Sequence, residues 1–186
     1  FDIAAEMKDA ISLGVGEPDF VTPWAVREAG IYSLEKGRTH YSANSGLLEL
    51  RNEICTYLAR KYNLHYNPKT ETLVTVGGSE AIDLLIRAIV SQGDEVLIPE
   101  PCFVCYKPCT LMAGGTPVTI QTEEKDNFKL TPEKLLEKIT PKSKLLILPF
   151  PNNPTGAVMT REDLEKIAKI VEEHDLFVLS DEIYGE

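Results

Sequence analysis

The sequence predicts an α/β fold: a three-layer sandwich in which helices cover both faces of a mainly parallel β-sheet. Two observations support this prediction. Short apolar or β-branched runs alternate with stretches of helical periodicity along most of the 186 residues. Several runs, such as KLLILPF at 144–150, are apolar at nearly every position, which is typical of strands buried on both faces.

The first part of the chain, residues 1–46, is rich in glycine and proline. It contains one predicted helix, which Thr22 and Pro23 begin as N-cap and first-turn residues and which Gly37 ends. We therefore assign residues 1–46 to an N-terminal arm and residues 47–186 to a larger domain.

In the larger domain, predicted strands and helices follow one another in the alternating order of a parallel sheet. Thr160, with Asp163 three residues later, predicts an approximate capping box at the start of the last helix. The predicted strands are 72–76, 95–99, 116–122, 144–150 and 176–180. The other predicted helices are 47–62, a helix that GGSEAI opens and Gly93 ends, 102–113 and 131–139. A break is expected near Pro108 in the helix at 102–113.

The charge of the chain narrows the classes of partner. Its 29 acidic and 19 basic residues give a formal net charge of −10, and no basic run is present. Both features argue against a nucleic-acid or anionic-membrane partner. No apolar run reaches the length of a membrane span, and the first residues lack a signal-peptide pattern. These observations predict a soluble cytoplasmic protein.

Three of the four cysteines lie close together, at Cys102, Cys105 and Cys109. On one helix they would share a face, which raises the possibility of a metal or redox site. A zinc or iron–sulfur site usually needs a second ligand pair, and the three histidines are scattered without ligand spacing. We therefore interpret these residues as small buried thiols and predict no metal site.

Three loops rich in glycine or polar residues follow predicted strands: GGS after Val76, PNNPTG after Phe150 and DEIY after Ser180. If the strands are parallel, all three loops open onto the same edge of the sheet, where ligands bind. GGSEAI also opens a helix, whose free N–H groups and partial positive charge suit a phosphate. A simple tight turn is the alternative for the Gly-Gly pair.

A carboxylate and a carboxamide accompany this predicted phosphate site. Asp181 lies at a strand end, where it needs a cation or hydrogen-bond donors to remain ionised; a helix N-cap is the alternative. Asn153 lies on the neighbouring loop, in which Asn152 is expected to satisfy backbone groups. An acceptor for a cationic ring nitrogen, a donor for a ring oxygen and an anion site together describe a phosphorylated pyridine cofactor.

The motifs PNNPTG, SDEIY, GGSEA, GEPDF and HYSANSG resemble those of the class I/II aminotransferases, which are pyridoxal-phosphate (PLP) enzymes of the aspartate aminotransferase fold type. The resemblance covers essentially the whole chain. It implies that residues 1–46 are an arm and part of a small domain, that residues 47–186 begin the PLP-binding large domain, and that the protein is a homodimer.

The resemblance also implies roles for individual residues. It makes Asp181 and Tyr184 catalytic. For Phe103, which would stack on the cofactor ring, a role as a core aromatic of a helix is the alternative. Backbone N–H groups of Gly78, Ser79 and Glu80 would hold the PLP phosphate, Phe103 would stack on the ring, Asn153 and Tyr184 would contact the 3′-oxygen, Asp181 would pair with the ring nitrogen, Tyr41 would reach the partner subunit's phosphate, and Gly16 and Asn153 would bind substrate.

The resemblance places the family's Schiff-base lysine and its carboxylate-binding arginine beyond Glu186. No lysine in the chain matches that motif position. We therefore expect the chain to be an N-terminal fragment with an incomplete sheet, which by itself does not transaminate.

Three functions are compatible with these motifs. The first is an aminotransferase that moves an amino group from an amino acid to a 2-oxo acid, as the aspartate and aromatic aminotransferases do. The second is a PLP-dependent lyase or synthase of the same fold, and the third is a non-catalytic, aminotransferase-like effector-binding domain. The sequence does not indicate which amino acid would be the donor.

Overall fold

The computed structural model describes residues 7, 9, 11 and 20–185. Its helices and strands alternate along most of the chain. In order they are α1 (Trp24–Glu35), α2 (Leu48–Tyr62), α3 (Gly78–Ile89), β1 (Glu95–Glu100), α4 (Tyr106–Met112), β2 (Thr116–Gln121), a 3₁₀ turn (Glu124–Asp126), α5 (Pro132–Leu136), β3 (Ser143–Leu148), α6 (Arg161–Glu173) and β4 (Phe177–Ser180).

The chain divides into two compact units, Phe1–Asn44 and Ser45–Glu186. The first unit contains α1, none of whose residues is buried. The prediction that Thr22 caps this helix is wrong: Pro23 occupies the N-cap position, and no side chain caps the helix. The predicted end is correct, because Gly37 follows the helix with a positive φ of 67°.

The second unit contains a four-stranded sheet in the order β2-β1-β3-β4, and every neighbouring pair of strands is parallel. A parallel connection needs a crossover, and helices supply it between the successive strands. The predicted parallel α/β sheet is therefore confirmed. The carboxyl ends of all four strands, including Leu148 of β3 and Ser180 of β4, consequently lie along one edge.

Alternate residues of the central strands face opposite sides of this sheet. Val96 and Ile98 of β1 pack in one core with buried residues of α3 and α4. Leu97, between them, packs in a second core with buried residues of α5 and α6. Helices thus cover both faces of the sheet, which confirms the predicted three layers and explains why the residues at 96–99 of β1 and 145–148 of β3 are all apolar.

The predicted strand at 72–76 is wrong, because these residues are extended but pair with no strand in the part of the chain that the structure describes. They are held by loop contacts instead. The Val74 N–H donates to the carbonyl of Ser45 at 3.1 Å, and Thr72 hydrogen-bonds the thiol of Cys55 at 3.1 Å. β-Branched residues favour an extended backbone, whereas a strand also needs a neighbour.

The helix predicted at 102–113 begins only at Tyr106, and Pro108 does not break it. Pro108 lies in the first turn, where the missing N–H of proline would have no partner within the helix. Cys102 and Cys105 therefore precede the helix, and the expected common helix face of the three cysteines does not form. All three thiols are free, and burial raises the pKa of Cys105 to about 11.

Neither a metal cluster nor a membrane helix appears among the described residues. They contain no group of three or more histidine, cysteine and acidic side chains that could hold a metal ion. Within the same residues, every helix is too short or too polar to cross a bilayer.

Candidate active site

A cavity of about 390 Å³ opens at the carboxyl edge of the sheet, within the second unit. Its volume lies in the range of small-molecule sites. The three loops that the sequence singled out all contribute to its wall. Six of the predicted site residues line it, namely Gly78, Ser79, Phe103, Asn153, Asp181 and Tyr184, and Tyr106 lies among them.

The N-terminus of α3 forms one side of the cavity. Gly77 is the N-cap residue, and no side chain caps this helix. Within the described chain, no acceptor contacts the backbone N–H groups of Gly78, Ser79 and Glu80, whereas the next N–H, of Ala81, reaches the carbonyl of Gly77. Unpaired donors at a helix start carry a partial positive charge, so this side of the cavity suits an anion.

The residues just before α3 shape this turn. Gly77 has φ 82° and ψ 168°, a conformation that is essentially restricted to glycine. The hydroxyl of Thr75 donates to the carbonyl of Gly77 at 2.9 Å. The carboxylate of Glu80 accepts from the N–H of Val76 and does not line the cavity. Of the residues predicted to hold a phosphate, Glu80 can therefore offer only its backbone N–H.

The loop after β3 is held by its own hydrogen bonds. Asn152 is buried, and its side-chain oxygen accepts from both the N–H and the hydroxyl of Thr155, at 3.2 and 2.8 Å. The expectation that Asn152 satisfies loop backbone groups is thus confirmed. Across the loop, the N–H of Asn152 donates to the carbonyl of Ala157 at 3.0 Å.

Asn153, the next residue, has the opposite environment. It is exposed and lines the cavity, and no side chain or backbone group in the described chain hydrogen-bonds its carboxamide. Its peptide bond to Pro154 is cis. The loop therefore uses one asparagine to hold its own backbone and presents the other to a ligand.

Asp181 follows β4, and its backbone N–H continues the strand pairing by donating to the carbonyl of Leu148 at 3.1 Å. Its carboxylate is half-buried, and both oxygens accept a hydrogen bond. The hydroxyl of Tyr106 donates to Oδ2 at 2.8 Å, and the N–H of Ile183 donates to Oδ1 at 3.2 Å. Because both oxygens are held by donors, the carboxylate has a fixed position in the cavity wall and is suited to pair with a cationic ring nitrogen.

Tyr106 is a site residue that the sequence analysis did not identify. It is 1% exposed and begins α4, 75 positions before Asp181 along the chain. The sequence gives only a weak signal for Tyr106. Like Phe103, it is an aromatic residue in the segment that joins the end of β1 to the start of α4. Phe103 and Tyr106 pack edge to face, with ring centroids 6.0 Å apart.

Two predicted residues cannot be compared with the cavity. Gly16 lies outside the described residues. Tyr41 belongs to the first unit and has a fully exposed side chain.

The cavity combines the groups that a phosphorylated pyridine needs. Unpaired helix N–H groups suit the phosphate, an anchored carboxylate suits the ring nitrogen, an aromatic side chain suits the ring face, and a free carboxamide suits a ring oxygen. The donor set of this chain therefore fits PLP.

Comparison with known proteins agrees with this fit. A Bacillus subtilis (strain 168) protein named YugH is 52% identical over 186 residues, which are 100% of this chain and 48% of that protein. The aspartate aminotransferase of Pyrococcus abyssi is 47% identical over 99% of this chain and 47% of its own length. The solved structure of an aromatic aminotransferase from Pyrococcus horikoshii OT3 superposes with a TM-score of 0.91 and 48% identity, over 94% of this chain and 46% of that one.

The chain thus spans about half the length of the curated relatives that it matches. The family model described as aminotransferase class I and II matches residues 8–186. With a match over nearly every residue, the chain belongs to the class I and II aminotransferase family.

Proposed function

We propose that the protein is a PLP-dependent aminotransferase that moves an amino group from an amino acid to a 2-oxo acid. One observation carries the proposal: a single cavity unites the uncapped N-terminus of α3 with an Asp181 carboxylate whose two oxygens are both anchored. This pairing of an anion site with an acceptor for a cationic nitrogen suits few ligands other than a phosphorylated pyridine.

Each side chain of the cavity has a distinct role in this proposal. The N–H groups of Gly78, Ser79 and Glu80 bind the phosphate, which needs donors and gains from the helix dipole. Asn153 donates to the 3′-oxygen because its carboxamide is free, and it also contacts the substrate. Tyr184, which is 51% exposed at the cavity mouth, contacts the 3′-oxygen as well.

Asp181 is the group on which the rate depends most. When bound, PLP supplies an electron sink that allows the α-proton of the substrate to leave. An ionised carboxylate beside the ring nitrogen keeps a proton on that nitrogen, and the positive charge strengthens the sink. Phe103, on the wall next to Tyr106, holds the plane of the ring by stacking.

Tyr41 and Gly16 extend the proposal beyond the cavity. We place Tyr41 across the interface of a homodimer, at the phosphate bound by the partner subunit; its exposed side chain supports this role. Gly16 would offer its backbone to the substrate carboxylate. A cytoplasmic location remains a prediction from the sequence.

The names of the relatives suggest the substrate classes to test first. They include an aspartate aminotransferase and an aromatic aminotransferase. We propose that the amino donor is a dicarboxylic or aromatic amino acid and that the acceptor is a 2-oxo acid such as 2-oxoglutarate.

The experiment is to assay transamination by the natural protein and by its Asp181→Ala variant, with aspartate and with an aromatic amino acid as donors. Removing one partner of a desolvated ion pair commonly lowers function by about 100-fold or more, and we expect a loss of that size in kcat/KM. The cofactor absorbance of the natural protein should also be bleached by borohydride.

Glu182→Ala is the matched control, because it removes a neighbouring carboxylate that does not line the cavity. It should retain nearly all of the activity. Normal turnover by Asp181→Ala, or equal losses in the two variants, would contradict the proposal.

A further inference from the structure

Tyr106 borders the cavity with an almost fully buried side chain, and it contacts the proposed partner of the ring nitrogen directly. It is 1% exposed, and its hydroxyl donates to Asp181 Oδ2 at 2.8 Å. A buried tyrosine needs an acceptor for its hydroxyl, and Asp181 is the acceptor that the fold supplies. The bond joins the start of α4 to the end of β4, across two separate crossovers of the fold.

The surroundings of Tyr106 leave its hydroxyl little freedom to move. The side chain belongs to the core between α3, α4 and the sheet, and its ring packs against the edge of Phe103. A group packed in this way acts as a fixed point toward which the carboxylate is oriented.

The other carboxylate oxygen of Asp181, Oδ1, is held by a contact with a residue that follows it in the chain. The N–H of Ile183 donates to Oδ1 at 3.2 Å within the same short turn. One contact is local and the other crosses the fold, so together they fix both the position and the plane of the carboxylate. Loss of the phenol would leave only the local contact, about which the carboxylate could rotate.

Tyr106 serves only as a donor in this arrangement. Burial is the main cause that raises the pKa of Tyr106 well above its ordinary value of 10.0, and the hydrogen bond to Asp181 is the second cause. The phenol therefore stays neutral across the pH range in which proteins remain folded. A neutral donor stabilises the negative charge of Asp181 without contributing a charge of its own.

We propose that Tyr106 is a positioning residue that holds the Asp181 carboxylate in place and aims it at the ring nitrogen of the bound cofactor. This inference rests on the proposed function, since it gives Asp181 a cationic nitrogen as its partner. The alternative is that Tyr106 only fills the core, in which case its hydroxyl would be irrelevant to the ligand.

The test measures the dissociation constant of pyridoxamine phosphate by fluorescence titration of the natural protein in four forms. These are the wild type, Tyr106→Phe, Asp181→Ala and the double variant. A hydrogen bond to a charged group is worth about a 10-fold change in affinity, so Tyr106→Phe should raise the dissociation constant by roughly that factor. In the Asp181→Ala background the same change should alter it by less than about 2-fold, because Tyr106 acts through Asp181.

Thr110→Val is the structural control, because it removes a buried hydroxyl from the same helix without touching Asp181. It should lower the melting temperature and leave the dissociation constant within about 2-fold of wild type, the usual limit of additivity. A spectroscopic readout separates the two roles further. With ring-¹⁵N pyridoxamine phosphate, the nitrogen resonance should move toward the unprotonated position in Tyr106→Phe and remain unchanged in Thr110→Val.

The outcomes distinguish this inference from the proposed function. If Asp181→Ala weakens binding and Tyr106→Phe does not, or if Tyr106→Phe weakens it equally in both backgrounds, the positioning role is wrong and the function stands. If Asp181→Ala also binds like wild type, the proposed function itself is wrong. Should Tyr106→Phe fail to fold, the ¹³Cζ resonance of Tyr106 is compared between wild type and Asp181→Asn. A shift supports the contact, and an unchanged resonance overturns it.

Discussion

The helices α3 and α6 pack on opposite faces of the sheet and begin in contrasting ways. At α6, the hydroxyl of Thr160 accepts from the N–H of Asp163 at 3.2 Å, and the Asp163 carboxylate accepts from the N–H of Thr160 at 2.9 Å. This reciprocal capping box satisfies two backbone donors. At α3 the N-cap is Gly77, and no side chain caps the helix.

The difference separates a structural helix start from one that is available to a ligand. A side-chain cap stabilises a helix by about 1 kcal/mol, and α3 lacks that contribution. The carboxylate of Glu80, which could reach back to the N-cap residue, instead bonds the N–H of Val76. The N–H groups and the positive end of the helix dipole are consequently left facing the cavity.

The largest effect is expected when a carboxylate is placed on the side of the α3 N-terminus that faces the cavity. Ser79→Asp would place a carboxylate in the first turn, where it should stabilise the helix slightly but repel a phosphate. Because juxtaposed like charges cost several kcal/mol, we expect the affinity for pyridoxamine phosphate to fall by about 100-fold. Ser79→Asn is nearly identical in shape and neutral, so it should bind far better. Equal affinities for the two variants would show that the helix start does not bind the anion.

A second, smaller effect concerns the backbone of the uncapped turn. Gly77→Ala forces a Cβ into a conformation that is essentially restricted to glycine, and this should lower the free energy of unfolding by about 1–3 kcal/mol. Gly78→Ala is the matched control, because Gly78 lies inside the helix and a Cβ there meets no atom within 4 Å. Urea denaturation measures both variants. Equal stabilities would mean that the turn has no conformational requirement for glycine.

The sequence predicted the regions that follow from local pattern and parallel topology. The run at 144–150, apolar at every position after Lys144, indicated a central strand, and the Thr160–Asp163 spacing indicated the capping box. Since parallel strands share one carboxyl edge, the sequence alone indicates that the loops carrying Asn153 and Asp181 meet at one cavity.

The missed features depend on partners that local pattern does not specify. Residues 72–76 have strand propensity, yet no neighbouring strand in the described chain pairs with them. The contact between Tyr106 and Asp181 joins residues 75 positions apart, and its formation depends on how α4 packs against the sheet. The hydrogen bond from the N–H of Ile183 to Asp181 is local, because an aspartate side chain often accepts from the N–H two residues later. Only this part of the arrangement around Asp181 follows from local sequence.

The smallest expected effect concerns α6, where the charge in the capping box is the carboxylate of Asp163. The ion pair with Lys129, at 2.7 Å, and the hydrogen bonds from Thr160 lower the pKa of Asp163 from 3.8 to about 2. A carboxyl group whose pKa is lower in the folded protein than in the unfolded chain stabilises the fold at pH values above its unfolded pKa. The contribution of Asp163 is therefore complete above about pH 4 and disappears as the pH falls through about 2. Wild type should therefore exceed Asp163→Asn in stability by less than about 1 kcal/mol at neutral pH, since the pair is partly exposed.

The measurement is chemical denaturation of both proteins at several pH values, and the relevant quantity is the difference between them. Glu165→Gln is the control, because it breaks an exposed ion pair with Arg161 on the same helix without touching the cap. Its stability should follow that of wild type at every pH. A difference for Asp163→Asn that persists below pH 2 would assign the effect to hydrogen-bond geometry, and α6 would then differ from α3 in shape but not in charge.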